Sequence, residues 1–146
     1  MIRINVVAVG RLKEKFWTDA VKEYAKWLEK YCDLRIVEIP DGRTPEAEGA
    51  EIIKKLSGCV IACDVRGKLV SSEDLAEMID KKAGMGKSEL TFLIGGSEGL
   101  SEEVKALAEE KISFGRVTFP HRMMRVILCE QIYRAFTIIH HTPYHK

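Results

Sequence analysis

Short apolar runs alternate along this chain with stretches in which apolar residues recur every three or four positions. The first run, residues 2–9, is rich in β-branched side chains and predicts a strand that Gly10 breaks. Residues 15–32 follow with Trp17, Val21, Tyr24, Ala25, Leu28 and Tyr31 at helical spacing. A second strand is expected over 34–39, stopped by Pro40-Asp41-Gly42, and a helix over 46–56 with Ala47, Ala50 and Ile53 on one face. Residues 59–65 are too continuously apolar to be half-exposed and predict a buried third strand, with Arg66-Gly67-Lys68 as the turn after it. Ser71 with Asp74 resembles a capping box opening a helix to about residue 82. A fourth strand is expected over 89–94. Ser101 followed by Glu102 and Glu103 opens a helix to about 111, its acids at the positive end of the dipole. A short fifth strand is expected over 116–119 and a long helix over 123–139. Strands alternating with helices imply an α/β fold with a largely parallel sheet in one domain, residues 1–146.

The last helix lacks the usual apolar stripe. Met123, Met124, Val126, Ile127, Leu128, Cys129, Ile132, Tyr133, Phe136, Ile138 and Ile139 cover almost every side of it. A helix apolar all round must be buried all round. One sheet face hardly suffices, so either another segment wraps it or a second subunit does, and a homodimer interface is the favoured expectation. Arg125, Glu130, Gln131 and Arg134 are the residues expected to pair across its twofold axis.

Charge changes this picture locally. The 146 residues carry a net charge of only +1. From Lys111 onward, however, six cations stand against one acid, and the first 110 residues carry 17 cations against 21 acids. A basic C-terminal region hidden in a neutral average suggests an anionic partner. No apolar run is long enough for a membrane span, and the first residues read as a strand, not as a signal peptide. A cytoplasmic protein with its four cysteines reduced is the expectation. No Cys or His pair has metal-ligand spacing, so no metal is expected.

Gly95-Gly96-Ser97-Glu98-Gly99 joins a strand to a helix, at the edge where open parallel sheets hold ligands. It is neither a dinucleotide fingerprint nor a P-loop. On its own it fits a bare tight turn as well as a ligand cradle. His121, after Phe119-Pro120, is either a residue at the mouth of that edge or a cap on the last helix. Cys63-Asp64 points to the same edge, where Asp64 has the alternative of tying up turn amides. The ending Pro143-Tyr144-His145-Lys146 has the position of a frayed terminus and the composition of a nucleotide contact, able to stack on bases and meet phosphate.

Several motifs occur together in one order. They are Val6-Val7-Ala8-Val9-Gly10-Arg11-Leu12-Lys13, Ile39-Pro40-Asp41-Gly42, Leu93 to Leu100, and Val117-Thr118-Phe119-Pro120-His121. Arg125-Val126, Glu130-Gln131-x-Tyr133-Arg134-Ala135 and the closing His-x-Pro-Tyr-His-Lys complete the set. Over essentially its whole length the chain resembles the bacterial large-subunit ribosomal RNA pseudouridine N3-methyltransferases, a family of the SPOUT class. The resemblance implies an α/β domain with a C-terminal trefoil knot, a homodimer, and S-adenosyl-L-methionine as cofactor. It further implies the ribosome or its large-subunit rRNA as substrate. Cofactor contacts are then expected at Cys63, Gly96, Gly115, Arg116, Val117, Thr118, Phe119 and Pro120. Tyr144, His145, Lys146 and His121 are the expected catalytic residues, with Asp64, Glu98, Arg116 and Arg125 as further candidates to accept a proton or stabilise charge. Two positions depart from the family: Ser97 stands where Pro is usual, and Cys63 where Leu is usual. The alternatives are a SPOUT-class enzyme of tRNA and a flavodoxin-like protein holding a phosphate-bearing ligand at residues 95–99.

Overall fold

Strands buried on both faces need a cover of helices on each, and the computed structural model, which describes residues 1–146, supplies both layers. In chain order the elements are β1 (Arg3–Val9), α1 (Lys15–Leu28), β2 (Asp33–Ile39), α2 (Pro45–Ile53), β3 (Cys59–Leu69), α3 (Ser72–Gly84), β4 (Glu89–Ile94), α4 (Glu102–Leu107), β5 (Glu110–Ser113) and α5 (His121–Ile139). The five strands form one sheet in the order β2-β1-β4-β3-β5, and every pairing is parallel. No helix is long and apolar enough to cross a membrane.

The period-two alternation of strand side chains splits the core into two layers. Ile4, Val6 and Ala8 of β1 face α5, joining Ile61, Leu90, Phe92, Leu128, Ile132 and Phe136. Val7 and Val9 point the other way, toward Ile52 of α2 and Leu100 and Val104 around α4. Helices α3 and α4 carry the expected starts, Ser71 and Ser101, and α2 has an unexpected cap in Thr44; each accepts from a backbone amide, and Ser71 with Asp74 completes the capping box. Helices α1 and α5 have no side-chain cap and no acid in the first turn.

Three expectations are corrected. The fifth strand is not residues 116–119 but Glu110–Ser113, which pairs with β3. Helix α4 ends earlier than expected, because Ala108 turns extended at ψ 134°. The charges of Glu110 and Lys111 mask an edge strand whose outward side chains reach solvent, Glu110 pairing with Lys82 at 3.0 Å. Residues 116–119 find no strand partner and run as a mostly exposed loop. Likewise Arg66-Gly67-Lys68 is not a turn. Strand β3 continues to Leu69 through a bulge, Cys63 and Lys68 both standing opposite Ile112.

Helix α5 lies against β4 between α1 and α3. Leu128, Cys129, Ile132, Ala135 and Phe136 are buried within the single chain, while Met123, Val126 and Ile127 are half-covered. The polar groups expected to pair across a twofold pair within the chain instead. Arg125 reaches Glu38 at 2.6 Å and the Gly10 carbonyl at 2.8 Å. Arg134 meets Glu130 at 2.6 Å, and the Ser72 hydroxyl donates to Gln131.

Arg125 is 1% exposed, so its charge depends on these partners. Arg125→Met should cost roughly 2–3 kcal/mol in urea unfolding, because bonds to a charged group are worth about 1.5–3 each and partly exposed Glu38 regains water. The Leu12 amide and Arg125 also hold the Glu38 carboxyl below its ordinary value, against the opposing effect of its partial burial. A depressed folded pKa contributes stability that is present above the unfolded value and lost as pH falls through the folded one. The wild type should therefore lose this contribution below about pH 4.5, and Arg125→Met should show less of that loss in acid unfolding titrations.

Candidate active site

Strands β3, β4 and β5 deliver their carboxyl ends to one cavity of about 780 Å³. Its walls are residues 63–66 on the β3 bulge, 94–100 after β4 and 112–115 with 117–121 after β5. Met124 of α5 and Glu102 and Lys105 of α4 complete it. Of the expected cofactor residues, Cys63, Gly96, Gly115, Val117, Thr118, Phe119 and Pro120 line this one space, and so does His121.

The glycine loop is shaped by contact from below. A Cβ on Gly95 would stand 2.5 Å from the Gly99 carbonyl carbon, because the loop closes on itself, with the Gly99 amide bonded to the Gly96 carbonyl at 3.0 Å. A Cβ on Gly96 would stand 3.0 Å from both carboxylate oxygens of Glu48. Glu48 is a functional candidate that sequence reasoning missed. It is 8% exposed, and its Oε2 accepts from the Gly42 amide at 3.0 Å. In sequence it is one more acid at a helix start. Only the packing of α2 beneath the β4 loop brings it under Gly96.

The opposite wall is tied down by other means. The Ser113 hydroxyl donates to the Gly115 carbonyl at 2.7 Å and accepts from the Gly115 amide at 3.2 Å, reversing the chain after β5. Arg116 does not line the cavity. Its guanidinium donates to the carbonyls of Val65 and Gly67, stapling residues 114–119 to the β3 bulge. Asp64 does tie up a backbone amide, that of Arg66 on the β3 bulge at 3.1 Å, and pairs with Lys105 at 3.6 Å. Burial pushes the Cys63 thiol up to about 12, so it stands in the wall as a neutral group. Glu98 is exposed at the loop tip.

His121 is the first residue of α5 and caps nothing. Its Nε2 is buried without a partner and lies over Gly10, where a Cβ would be 3.2 Å away. Burial, then the neighbouring Arg122 charge, holds its pKa below the ordinary histidine value. At neutral pH the ring is uncharged, with one nitrogen free to accept.

The C-terminal residues are not frayed, and they do not line this cavity. Tyr144 donates to Glu130 at 2.7 Å, sits under the Arg134 guanidinium at 4.8 Å and meets the edge of Tyr133. Burial and the Glu130 carboxylate push its hydroxyl up to about 12. His145 bridges Glu73, at 2.9 Å from Nε2, and Arg134, at 3.1 Å from Nδ1. Lys146 is exposed. The tail thus docks on its own α3 and α5.

Residues 2–145 match the family model described as "Predicted SPOUT methyltransferase". The chain belongs to the SPOUT methyltransferase family. It is 46% identical to the ribosomal RNA large subunit methyltransferase H of Listeria monocytogenes over 159 residues, covering 99% of this chain and 100% of that protein. The same coverage holds for the proteins of that name from Carboxydothermus hydrogenoformans, at 46% identity, and Clostridium botulinum, at 43%. Among solved structures, TrmJ from Z. mobilis shares the fold with a TM-score of 0.59 at 17% identity, over 94% of this chain and 71% of that one. A probable methylase family protein from Haemophilus influenzae does so with a TM-score of 0.58 at 14% identity, over 99% and 70%. These two likenesses concern the fold alone.

Within this SPOUT family member the closed glycine loop makes a graded prediction. Gly99 has φ +83° with open space at its Cβ, so Gly99→Ala should cost only the left-handed penalty, about 1–2 kcal/mol. Gly95→Ala should cost more, since backbone atoms of Gly99 have to move. Equal urea midpoints for the two variants would show that the loop does not close on Gly95.

Proposed function

We propose that this chain is a single-domain enzyme that methylates N3 of a pseudouridine in large-subunit ribosomal RNA. It uses S-adenosyl-L-methionine, acts as a cytoplasmic homodimer, and carries the trefoil knot of its class in the segment around residues 94–121. The reading rests on full-length 46% identity to proteins named ribosomal RNA large subunit methyltransferase H, combined with the glycine-walled cavity. The tRNA and flavodoxin-like alternatives are not favoured, since the curated relatives bear the ribosomal name and the family is one of methyltransferases.

The cavity fits the cofactor by observation. Gly95 and Gly96 leave backbone bare at its wall, Ile94, Leu100, Ile112 and Phe114 give apolar surface, and its volume is that of a ligand pocket. Gly96, Gly115 and residues 117–120 would hold the donor, and Arg116 would keep that wall in place. When bound, S-adenosylmethionine supplies a methyl on a sulfonium whose departure leaves a neutral thioether, so the chemistry calls for no metal. The chain has two tasks: to align the base nitrogen with that methyl, and to accept the proton that the nitrogen loses or stabilise the negative charge left on the base. Neutral His121 at the cavity is one acceptor. Tyr144, His145 and Lys146 are the positioning set.

The docked tail favours the homodimer. Glu130, which holds Tyr144, lies nine residues, about 13 Å along the helix, from His121. A tail held there serves a partner's cavity more readily than its own. The half-covered Met123, Val126 and Ile127 are the α5 residues left for the subunit contact.

Deleting residues 144–146 should leave calorimetric S-adenosylmethionine binding intact. Methyl transfer to ribosomes from cells lacking the gene should fall by two orders of magnitude or more, stacking and alignment both being lost. Full transfer by the truncated chain would remove the tail from the mechanism, and a methyl mapped to tRNA would overturn the substrate. Light scattering should give twice the 16.5 kDa chain mass, and Ile127→Glu should shift it toward one chain. A wild-type monomer would overturn the assembly. Ile132, by contrast, is fully buried within one chain, so a charge there would unfold the protein and would not report on assembly.

A further inference from the structure

Beside the cavity lies a surface with no structural explanation for its composition. After β1, residues 11–16 lead into α1, and Arg11, Lys13, Lys15 and Phe16 are all exposed. Phe16 is 64% exposed, its ring braced against Trp17 at 4.8 Å. The loop after β2 brings exposed Arg43 to the same sheet edge, two residues beyond Asp41, which adjoins Gly10. Arg122 enters at the start of α5. Of these cations only Lys15 has an ion-pair partner, Asp19. Of the acids nearby, Asp41 and Glu46 are exposed, fewer than the unpaired cations, and three others are engaged or turned inward. Glu38 is held by Arg125 and the Leu12 amide, Glu48 by the Gly42 amide, and the Glu14 Oε2 is buried.

The bland reading is a solvated charged face with one stray aromatic, since single exposed apolar residues are ordinary. Two features go beyond it. The exposed ring belongs to the segment that carries Arg11 and Lys13, and with Arg43 and Arg122 this edge holds four cations without an ion-pair partner, a positive excess that calls for an anionic partner. The surface is also continuous with the cavity, because Gly10, where it starts, lies under the cavity residue His121.

We propose that Arg11, Lys13, Phe16 and Arg43 form a contact for single-stranded RNA flanking the target nucleotide. The cations meet phosphates and Phe16 stacks on an unpaired base. This rests on the ribosomal RNA reading above and adds to it where the rRNA sits on the enzyme. The charge split along the sequence conceals this surface, because its cations lie in the net acidic part of the chain.

Lys13→Glu with Arg43→Glu, and separately Phe16→Ala, change side chains that make no hydrogen bond or ion pair, so folding should be retained. The probe is purified large subunits from cells lacking the gene, bound by co-sedimentation between about 50 and 200 mM salt. The double charge reversal should weaken binding tenfold or more and flatten the log–log salt slope by about two, one per phosphate contact. Phe16→Ala should weaken it roughly five- to hundredfold, the worth of one stacked base, with the slope unchanged. S-adenosylmethionine binding and assembly mass should stay as in the wild type. Unchanged affinity and slope in both variants would overturn the proposal. So would a drop of Phe16→Ala to a lower mass, which would assign the ring to a second copy of the chain. A wild type that neither binds nor methylates large subunits would instead overturn the ribosomal reading beneath it.

Discussion

A buried guanidinium holds the site together. Arg125, one turn into α5, bonds the Gly10 carbonyl at the end of β1 and the Glu38 carboxylate at the end of β2. A cation 1% exposed is stable only with such partners, so the start of α5 has one place to go. That anchor fixes His121 over Gly10 and sets Met124 in the cavity wall. It also explains why α5 manages without a capping side chain: the helix is positioned by Arg125 and by the apolar residues behind it.

On this anchored floor the two walls are held by different physics. The β4 wall is close-packed backbone, Gly95 against Gly99 and Gly96 against the Glu48 carboxylate, with no room for side chains. The β5 wall is a loop without ladder partners, fastened by the Ser113 turn and by Arg116 reaching the β3 bulge. A pocket with one rigid wall and one stapled wall suits a ligand gripped mainly through backbone atoms. It leaves the outer edge, with exposed Val117 and Thr118, for whatever carries the acceptor.

Charge is distributed to match. The interior cations are neutralised locally, Arg125 by Glu38 and Arg134 by Glu130. Four of the unpaired ones, Arg11, Lys13, Arg43 and Arg122, come from segments that follow β1 and β2 or open α5. With a net charge of +1 the chain has little bulk attraction for a polyanion, so the proposed contact with ribosomal RNA rests on a few placed cations and rings.

The sequence by itself determined the element types, the parallel α/β class and the family. These rest on local signals that need no partner: period-two and helical spacing, Ser and Thr caps, and contiguous motifs such as residues 93–100. It also marked the edge of the sheet where the cavity lies, because glycines and Pro120 punctuate the chain there. Tertiary structure decided the rest. Residues 110–113 became the fifth strand because β3 offered an open edge, overriding charges that read as helix, while 116–119 found no edge. The four polar residues of α5 found partners on β2, α3 and α5 itself, which helical spacing could not reveal. Glu48 entered the site and the tail left its own cavity for the same reason. Burial and long-range contacts between distant segments set those positions, and no local pattern encodes them.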